Sequence, residues 1–238
     1  MQNLSSLIRA CKYSYEPNKL GYCGPEHANE IFLSFIQNPS EIKAEEVKQL
    51  LMHFPALYPY LELIARKNNL KPFDSEVIDA YWTGNKLLEK VERKDVEKLI
   101  LTKFSGEGLL PKKLAEEKAA NLPSKVFISH AFHVLYMNFI TKKIEPILKN
   151  LDSCLVKGAE INDIKKDSFS VKTYSLLYES GEFKLKEKKV KIGKGFAENA
   201  SKGGLISIHW NSAVEIISED ELDSIRTFTE KNLAQLLF

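Results

Sequence analysis

The stretch FSVKTYSLLYESGEFKLKEKKVKI, residues 169–192, decides the fold class. Aromatic, aliphatic and β-branched residues alternate in it with polar residues at period two, which is typical of β-strands. Glu179-Ser180-Gly181 in its middle is a short segment that ends in glycine, so the stretch predicts an antiparallel hairpin. The apolar residues change parity between Leu185 and Val190. This change predicts a bulge near Lys188-Lys189.

The segments on either side of the hairpin extend the β pattern. Residues 155–161 and 205–210 are also rich in β-branched and aromatic residues and are predicted strands. After them, Ser218 or Asp220 is expected to cap a final helix that runs to about Phe238.

The chain before residue 153 shows helical periodicity instead. A strongly apolar segment from Ser124 predicts a helix that Pro146 kinks or ends, with the helical part closing by about Leu151. The other predicted helices cover residues 26–36, 40–54, 58–67, 74–90, 95–104 and 111–120. The fold class is therefore α+β: a helical N-terminal two-thirds, a small antiparallel sheet and a C-terminal helix. We expect a helical domain over residues 1–152 and a sheet-plus-helix domain over 153–238, packed as one unit.

Composition bounds the function. The 238 residues are 44% hydrophobic and 28% charged, which is typical of a soluble globular protein. The net charge of +2 is too small to produce an electrostatic field that attracts nucleic acid to the whole molecule. The lysine-rich residues 184–194 are interpreted as a solvated strand face, so no nucleic-acid partner is expected. No apolar run is long enough to span a bilayer, and no secretory signal pattern opens the chain. Three cysteines at unrelated spacings argue against a disulfide framework, and we expect a cytoplasmic location.

PNKLGYCGPEH, residues 17–27, is the first chemically loaded string. A helix predicted to begin at Pro25 would place Cys23 at its positive end and lower the thiol pKa, as suits a nucleophile or a metal ligand. In the alternative interpretation, the segment is a tight turn and Cys23 packs in it. Asn18 and Tyr22 from the same string, together with His130, are predicted to contact a cofactor.

Histidines mark the other two strings. His130 and His133 are three residues apart, so they share a face of the predicted apolar helix. They either line a pocket or bind a metal, or they are hydrogen-bonded core residues near the helix start. His209 lies on a predicted strand with Ser207 on the same face. His27 and His53 are interpreted as peripheral.

These strings together resemble a family of prokaryotic proteins of unknown function marked by Pro-Asn-x-Leu-Gly-Tyr-Cys-Gly-Pro. The resemblance extends to His130-Ala131-Phe132-His133-Val134 and to Ser207-Ile208-His209-Trp210, and so covers nearly the whole chain. Bacterial members can lie near nickel-iron hydrogenase genes, and the resemblance therefore implies an accessory or maturation role. Where those members tend to read His-Trp-Asp-Trp, this chain has Asn211-Ser212 after Trp210, which argues against a role that needs a carboxylate beside the histidine.

Three functions follow from these residues. The first is a metal- or cofactor-binding accessory protein in which Cys23, His130, His133 and His209 bind zinc, nickel or iron. The second is a thiol hydrolase or transferase in which Cys23 is the nucleophile and His133 or His209 the base. The third is a noncatalytic module that holds a protein partner.

Overall fold

Helices make up the N-terminal part of the chain, as the periodicity predicts. The computed structural model describes residues 4–236, and a 3-10 helix over Lys86–Lys90 follows α5 in it. The predicted helix over residues 74–90 is thus two pieces. The helices are α1 (Leu4–Lys19), α2 (Ala28–Gln37), α3 (Glu41–Met52), α4 (Tyr58–Asn68), α5 (Ser75–Trp82), α6 (Arg93–Lys103) and α7 (Lys112–Ala120).

The long helix predicted from Ser124 is wrong. The chain instead forms a single α-helical turn, α8 (His130–Phe132), a π-helical turn over His133–Met137 and an irregular segment that ends at α9 (Leu148–Cys154). Asn138 and Phe139 adopt left-handed φ values of 52° and 65°, which stop a right-handed helix. The apolar content of this segment reflects an irregular chain buried on nearly all sides, which periodicity cannot distinguish from a buried helix.

Within residues 4–236, five strands form one sheet that closes on itself in the order β1-β2-β3-β5-β4, with β4 pairing back to β1. Neighbours are antiparallel except β3 and β5, which meet in parallel at Gly193 and Ser212. The strands are β1 (Lys157–Ile164), β2 (Ser168–Glu179), β3 (Glu182–Gly193), β4 (Leu205–His209) and β5 (Ser212–Ile216). α10 (Glu219–Ala234) begins with a capping box in which Ser218 and Glu221 satisfy each other's backbone N–H groups. Phe238, the predicted end of this helix, lies outside the described residues.

The β2–β3 hairpin is confirmed, but the predicted bulge at Lys188-Lys189 is wrong. The register runs without a shift from Ser168 opposite Gly193 to Glu179 opposite Glu182. The change of parity has another cause, because the two ends of β3 bury opposite faces. Leu185 packs against a cluster of buried residues outside the closed sheet that includes Leu151, Leu176 and Leu233, whereas Ile192 packs in the core inside the closed sheet.

The largest hydrophobic core joins the helices to the C-terminal part. It contains residues of α1 to α7 together with Val214 of β5 and Phe228 of α10, and a smaller core fills the closed sheet around Phe169 and Ile206. The α+β class is therefore confirmed, while the division at residue 152 stays a prediction. No helix within residues 4–236 combines the length and apolar content needed to cross a membrane.

Candidate metal centre

Three side chains from three elements meet between the helices and the sheet. His130 opens α8, Cys154 ends α9 and His209 ends β4. Sγ of Cys154 lies 3.9 Å from Nε2 of His130 and 3.8 Å from Nε2 of His209. One ligand atom from each residue lies within 4.8 Å of the other two, and all three residues are buried. We call this group the His-Cys-His cluster.

The sheet brings Cys154 and His209 together. β1 starts three residues after Cys154 and pairs with β4, so that Lys157 lies opposite Ile208. Beyond the end of this ladder, the backbone N–H of Trp210 donates to the carbonyl of Ser153 at 2.8 Å. Trp210 and the following residue adopt left-handed φ values of 51° and 58°, which make the tight turn into β5. A bulky residue in this region is strained, and the strain lies directly beside His209.

A backbone carbonyl orients His209. Its Nδ1 lies 2.8 Å from the carbonyl oxygen of Tyr13 on α1. A carbonyl can only accept, so Nδ1 carries the proton and Nε2 presents its lone pair toward Cys154. Histidines that bind metals in proteins are commonly held in this way, with the distal N–H donated to a carbonyl or carboxylate.

His130 has a free ring nitrogen. Its Nδ1 is buried and has no hydrogen-bond partner among the described residues, and the same holds for the Ser14 hydroxyl and the indole N–H of Trp82. These residues line one cavity with Cys154 and His209. The cavity measures about 30 Å³, which is room for an ion or a water molecule but not for an organic cofactor. Unpaired buried polar groups are costly, so their concentration here indicates a polar site.

Burial keeps the cluster neutral. It raises the pKa of the Cys154 thiol and lowers that of His130 well below its usual range, with the neighbouring His209 adding to the effect on His130. Burial also lowers the pKa of His209 to about 4, and interactions with the backbone of Tyr13 and of Cys154 oppose this shift. Neutral imidazole is the form that binds a metal. The cysteine must lose its proton to do so.

His133 lies beside the cluster and outside it. Its ring centre is 6.2 Å from that of His130, and its Nδ1 is 3.3 Å from the hydroxyl of Tyr60. Burial lowers the pKa of His133 to about 3. The residue lines the same cavity as the cluster, but its hydrogen bond and aromatic neighbours also suit a core histidine.

Cys23 also lines this cavity, on a loop rather than a helix start. α2 begins at Ala28, five residues beyond Cys23 and later than the predicted start at Pro25. The predicted lowering of the thiol pKa is therefore wrong. Burial raises the pKa of Cys23 to about 11, and the nearby Lys143 partly opposes this.

Asn18 and Tyr22 hold the loop that carries Cys23, and the two histidines interpreted as peripheral lie at the surface. The side-chain amide of Asn18 donates to the carbonyls of Cys23 at 2.7 Å and Pro25 at 2.6 Å. The ring of Tyr22 packs on that of Trp210, with ring centres 4.7 Å apart. A cofactor contact by Asn18 or Tyr22 stays a prediction. His27 and His53 are exposed.

Sequence reasoning missed Cys154 as a member of this group. The residue is separated from His130 and His209 by 24 and 55 positions and belongs to no motif. The available signal was its place at the junction between the helical and β patterns, directly before a strand. A junction residue can meet the end of the strand that pairs with it, as Cys154 meets His209.

Fold and site together define an α+β protein with a buried imidazole–thiol cluster. The chain belongs to a family of unknown function (DUF6390), whose model matches residues 7–236. No match was found among curated proteins or solved structures.

Proposed function

We propose that this protein binds zinc or a similar transition metal ion through His130, Cys154 and His209. The two sulfur–nitrogen distances carry the proposal. With Zn–S near 2.3 Å and Zn–N near 2.0–2.1 Å, bonds at 109–120° place sulfur and nitrogen about 3.6–3.8 Å apart. The distances of 3.8 and 3.9 Å already approach this spacing.

The two imidazoles must come closer to share an ion. Their ligand nitrogens lie up to 4.8 Å apart, whereas two nitrogens on one zinc ion lie about 3.4 Å apart. His209 is held by a hydrogen bond to Tyr13, whereas Nδ1 of His130 has no hydrogen-bond partner among the described residues that would be lost on rotation. We therefore assign the adjustment to the ring of His130.

The donor set selects the type of ion. Two imidazoles and one thiolate suit zinc, nickel or iron, the ions expected from the sequence, and also copper. Three protein ligands leave a coordination position open, unlike a closed structural zinc site. Cys23 and His133, which the sequence also suggests as ligands, line the cavity but are not among the three ligands proposed to hold the ion. An open position suits a protein that accepts and releases its metal.

The finer proposal is an accessory role in nickel-iron hydrogenase maturation, with nickel as the cargo. The resemblance of the three sequence strings supports it, together with the nitrogen–sulfur donor set. In a host that makes both proteins, deletion of this protein should lower the nickel content of the hydrogenase. The wild-type protein should restore that content and Cys154→Ser should not.

Metal titration tests the binding proposal directly. Tag-free protein is titrated with Co²⁺, whose thiolate charge-transfer band reports a cysteine ligand. We expect one ion per chain with this band in the wild type and no band in Cys154→Ser. Cys11→Ala is the matched control, because Cys11 is buried but does not line the cavity. Failure of the wild type to bind, or a full band in folded Cys154→Ser, overturns the proposal.

One contact favours the thiol-enzyme alternative with a different nucleophile from the predicted Cys23. Cys154 lies 3.8 Å from Nε2 of His209, which Tyr13 orients as a general base would require. The small cavity argues against it, since no substrate fits beside Cys154. Labelling by a thiol-reactive electrophile separates the two cysteines: modification of Cys154 at neutral pH supports this alternative, and modification of Cys23 alone excludes Cys154.

A further inference from the structure

Cys23 lies where a surface cleft meets the buried cavity. The cleft has a volume of about 590 Å³ and is lined by Cys23, His53, Glu107, Lys142 and Lys143, among others. Cys23 also lines the cavity of the His-Cys-His cluster. It is partly exposed, whereas Cys154 is buried. Cys23 is thus a soft metal ligand placed between solvent and the cluster.

The loop that carries Cys23 is held in place. Asn18 binds two of its carbonyls, and Nζ of Lys143 lies 3.3 Å from the carbonyl oxygen of Gly24. Gly24 has a left-handed φ of 77°, and an added Cβ there would overlap the ring of Phe54. The position of the thiol is therefore specified by its neighbours on both sides.

A route is required because the cluster is closed to solvent. His130 is 5% exposed and His209 is 1% exposed, so an ion cannot reach either of them directly. His130 also keeps an unpaired ring nitrogen nine-tenths buried at the same cavity, which is a second sign that the cavity receives a polar ligand. A bare ion in a low-dielectric interior is very costly, so an ion that crosses the protein needs ligands along its route.

We propose that Cys23 is the entrance ligand of the metal centre, taking a divalent ion from a donor at the cleft and passing it to Cys154. This inference rests on the proposed metal binding. The ion keeps its charge throughout. A donor–metal bond breaks as the Cys23 sulfur–metal bond forms, and the Cys23 proton leaves to water in the cleft. When the ion moves on, the Cys23 bond breaks, the Cys154 sulfur–metal bond forms, and the proton of Cys154 returns to Cys23.

Loading kinetics test this role. Wild-type protein, Cys23→Ser and Cys23→His are mixed with zinc held by a chromophoric chelator, and release from the chelator is followed in time. We expect Cys23→Ser to reach the same final occupancy as the wild type at a rate lower by on the order of tenfold. Cys23→His, which restores a ligand, should recover part of the rate. Cys11→Ala should load as the wild type does.

The outcomes separate this inference from the binding proposal. If the wild type takes up no metal, the binding proposal fails and this inference fails with it. If the wild type loads and folded Cys23→Ser loads equally fast, the entrance role is wrong and the binding proposal stands. If Cys23→Ser loses final occupancy instead of rate, Cys23 is a permanent ligand and the entrance role is again wrong. Circular dichroism and thermal midpoints verify that each variant is folded.

Discussion

Acidification should destabilise the metal-free protein at an unusually high pH. His130, His133 and His209 are buried and neutral, with the pKa of His133 lowered to about 3, that of His209 to about 4 and that of His130 lowered well below its usual range. In the unfolded chain each titrates near pH 6.5. Between these limits the unfolded state binds more protons than the folded state, so the free energy of unfolding falls as the pH falls.

The magnitude follows from the unfolded pKa. At pH 5 an unfolded histidine gains about 2 kcal/mol from protonation, at about 1.4 kcal/mol per pH unit below 6.5, while the folded residue stays neutral. His133 and His209 together give a fall of about 4 kcal/mol between pH 8 and pH 5, and His130 adds to it in the same direction. This loss is comparable to the whole stability of a typical domain, about 5–15 kcal/mol. Carboxylates that titrate near pH 4 cannot account for a fall that begins at pH 6.5.

Urea denaturation followed by tryptophan fluorescence, with a chelator present, measures this fall. In His133→Gln the fall between pH 8 and pH 5 should shrink by about 2 kcal/mol relative to the wild type. His53→Gln, at an exposed position, controls for the replacement of a histidine outside the buried group. The carboxylates contribute equally to the fall in each variant, so their contribution cancels when the falls of two variants between pH 8 and pH 5 are compared. An equal fall in His133→Gln and the wild type would refute the assignment of His133 as a buried neutral group.

Two further substitutions test the fold around the site by urea denaturation at pH 8. Gly24→Ala should lower the free energy of unfolding by about 2–3 kcal/mol, because the new Cβ overlaps Phe54 and the backbone is left-handed. Gly21→Ala, at a left-handed position with open space around it, should lower it by about 1 kcal/mol. Equal losses in the two variants would contradict the overlap with Phe54. Arg9→Met should lower the free energy of unfolding by about 3 kcal/mol, because it leaves several partly buried carboxylates without their cation. Arg226→Met, at an exposed ion pair, should lower it by less than about 0.5 kcal/mol. A loss at Arg9 no larger than the loss at Arg226 would show that the ion pairs of Arg9 do not stabilise the fold.

Local signals in the sequence predicted most elements. Ser40 accepts from the backbone N–H of Lys43 as an N-cap, and Ser218 forms a capping box, so both helix starts were readable from a few residues. The β2–β3 hairpin was readable from alternation and one turn. β5 was missed, because its turn places Trp210 and Asn211 in the left-handed region, where glycine is the usual signal.

The sequence identified two histidines of the candidate site but did not predict which residue they meet in the folded chain. His130 and His209 were identified because imidazole is rare and chemically distinct, and the structure brings both to one cavity. The identity of their shared partner depends on strand pairing between β1 and β4, which no local pattern encodes. The prediction of a bulge near Lys188 was wrong for a related reason. The alternation of apolar residues identifies the buried face only if the same face is buried along the whole strand.

Helix α1 orients one member of the His-Cys-His cluster. Tyr13 gives His209 its orientation through a backbone carbonyl, while its hydroxyl lies 2.9 Å from the Ser207 hydroxyl and 2.8 Å from the carboxylate of Glu215, and its ring stacks on Trp82 with ring centres 4.8 Å apart. Glu215 in turn binds Arg9, one turn before Tyr13 on the same helix. Because a backbone carbonyl cannot be moved without moving the helix, the position of α1 on the sheet sets which nitrogen of His209 faces Cys154. The ion pairs of Arg9 therefore help to position α1, and with it the ring of His209 in the His-Cys-His cluster.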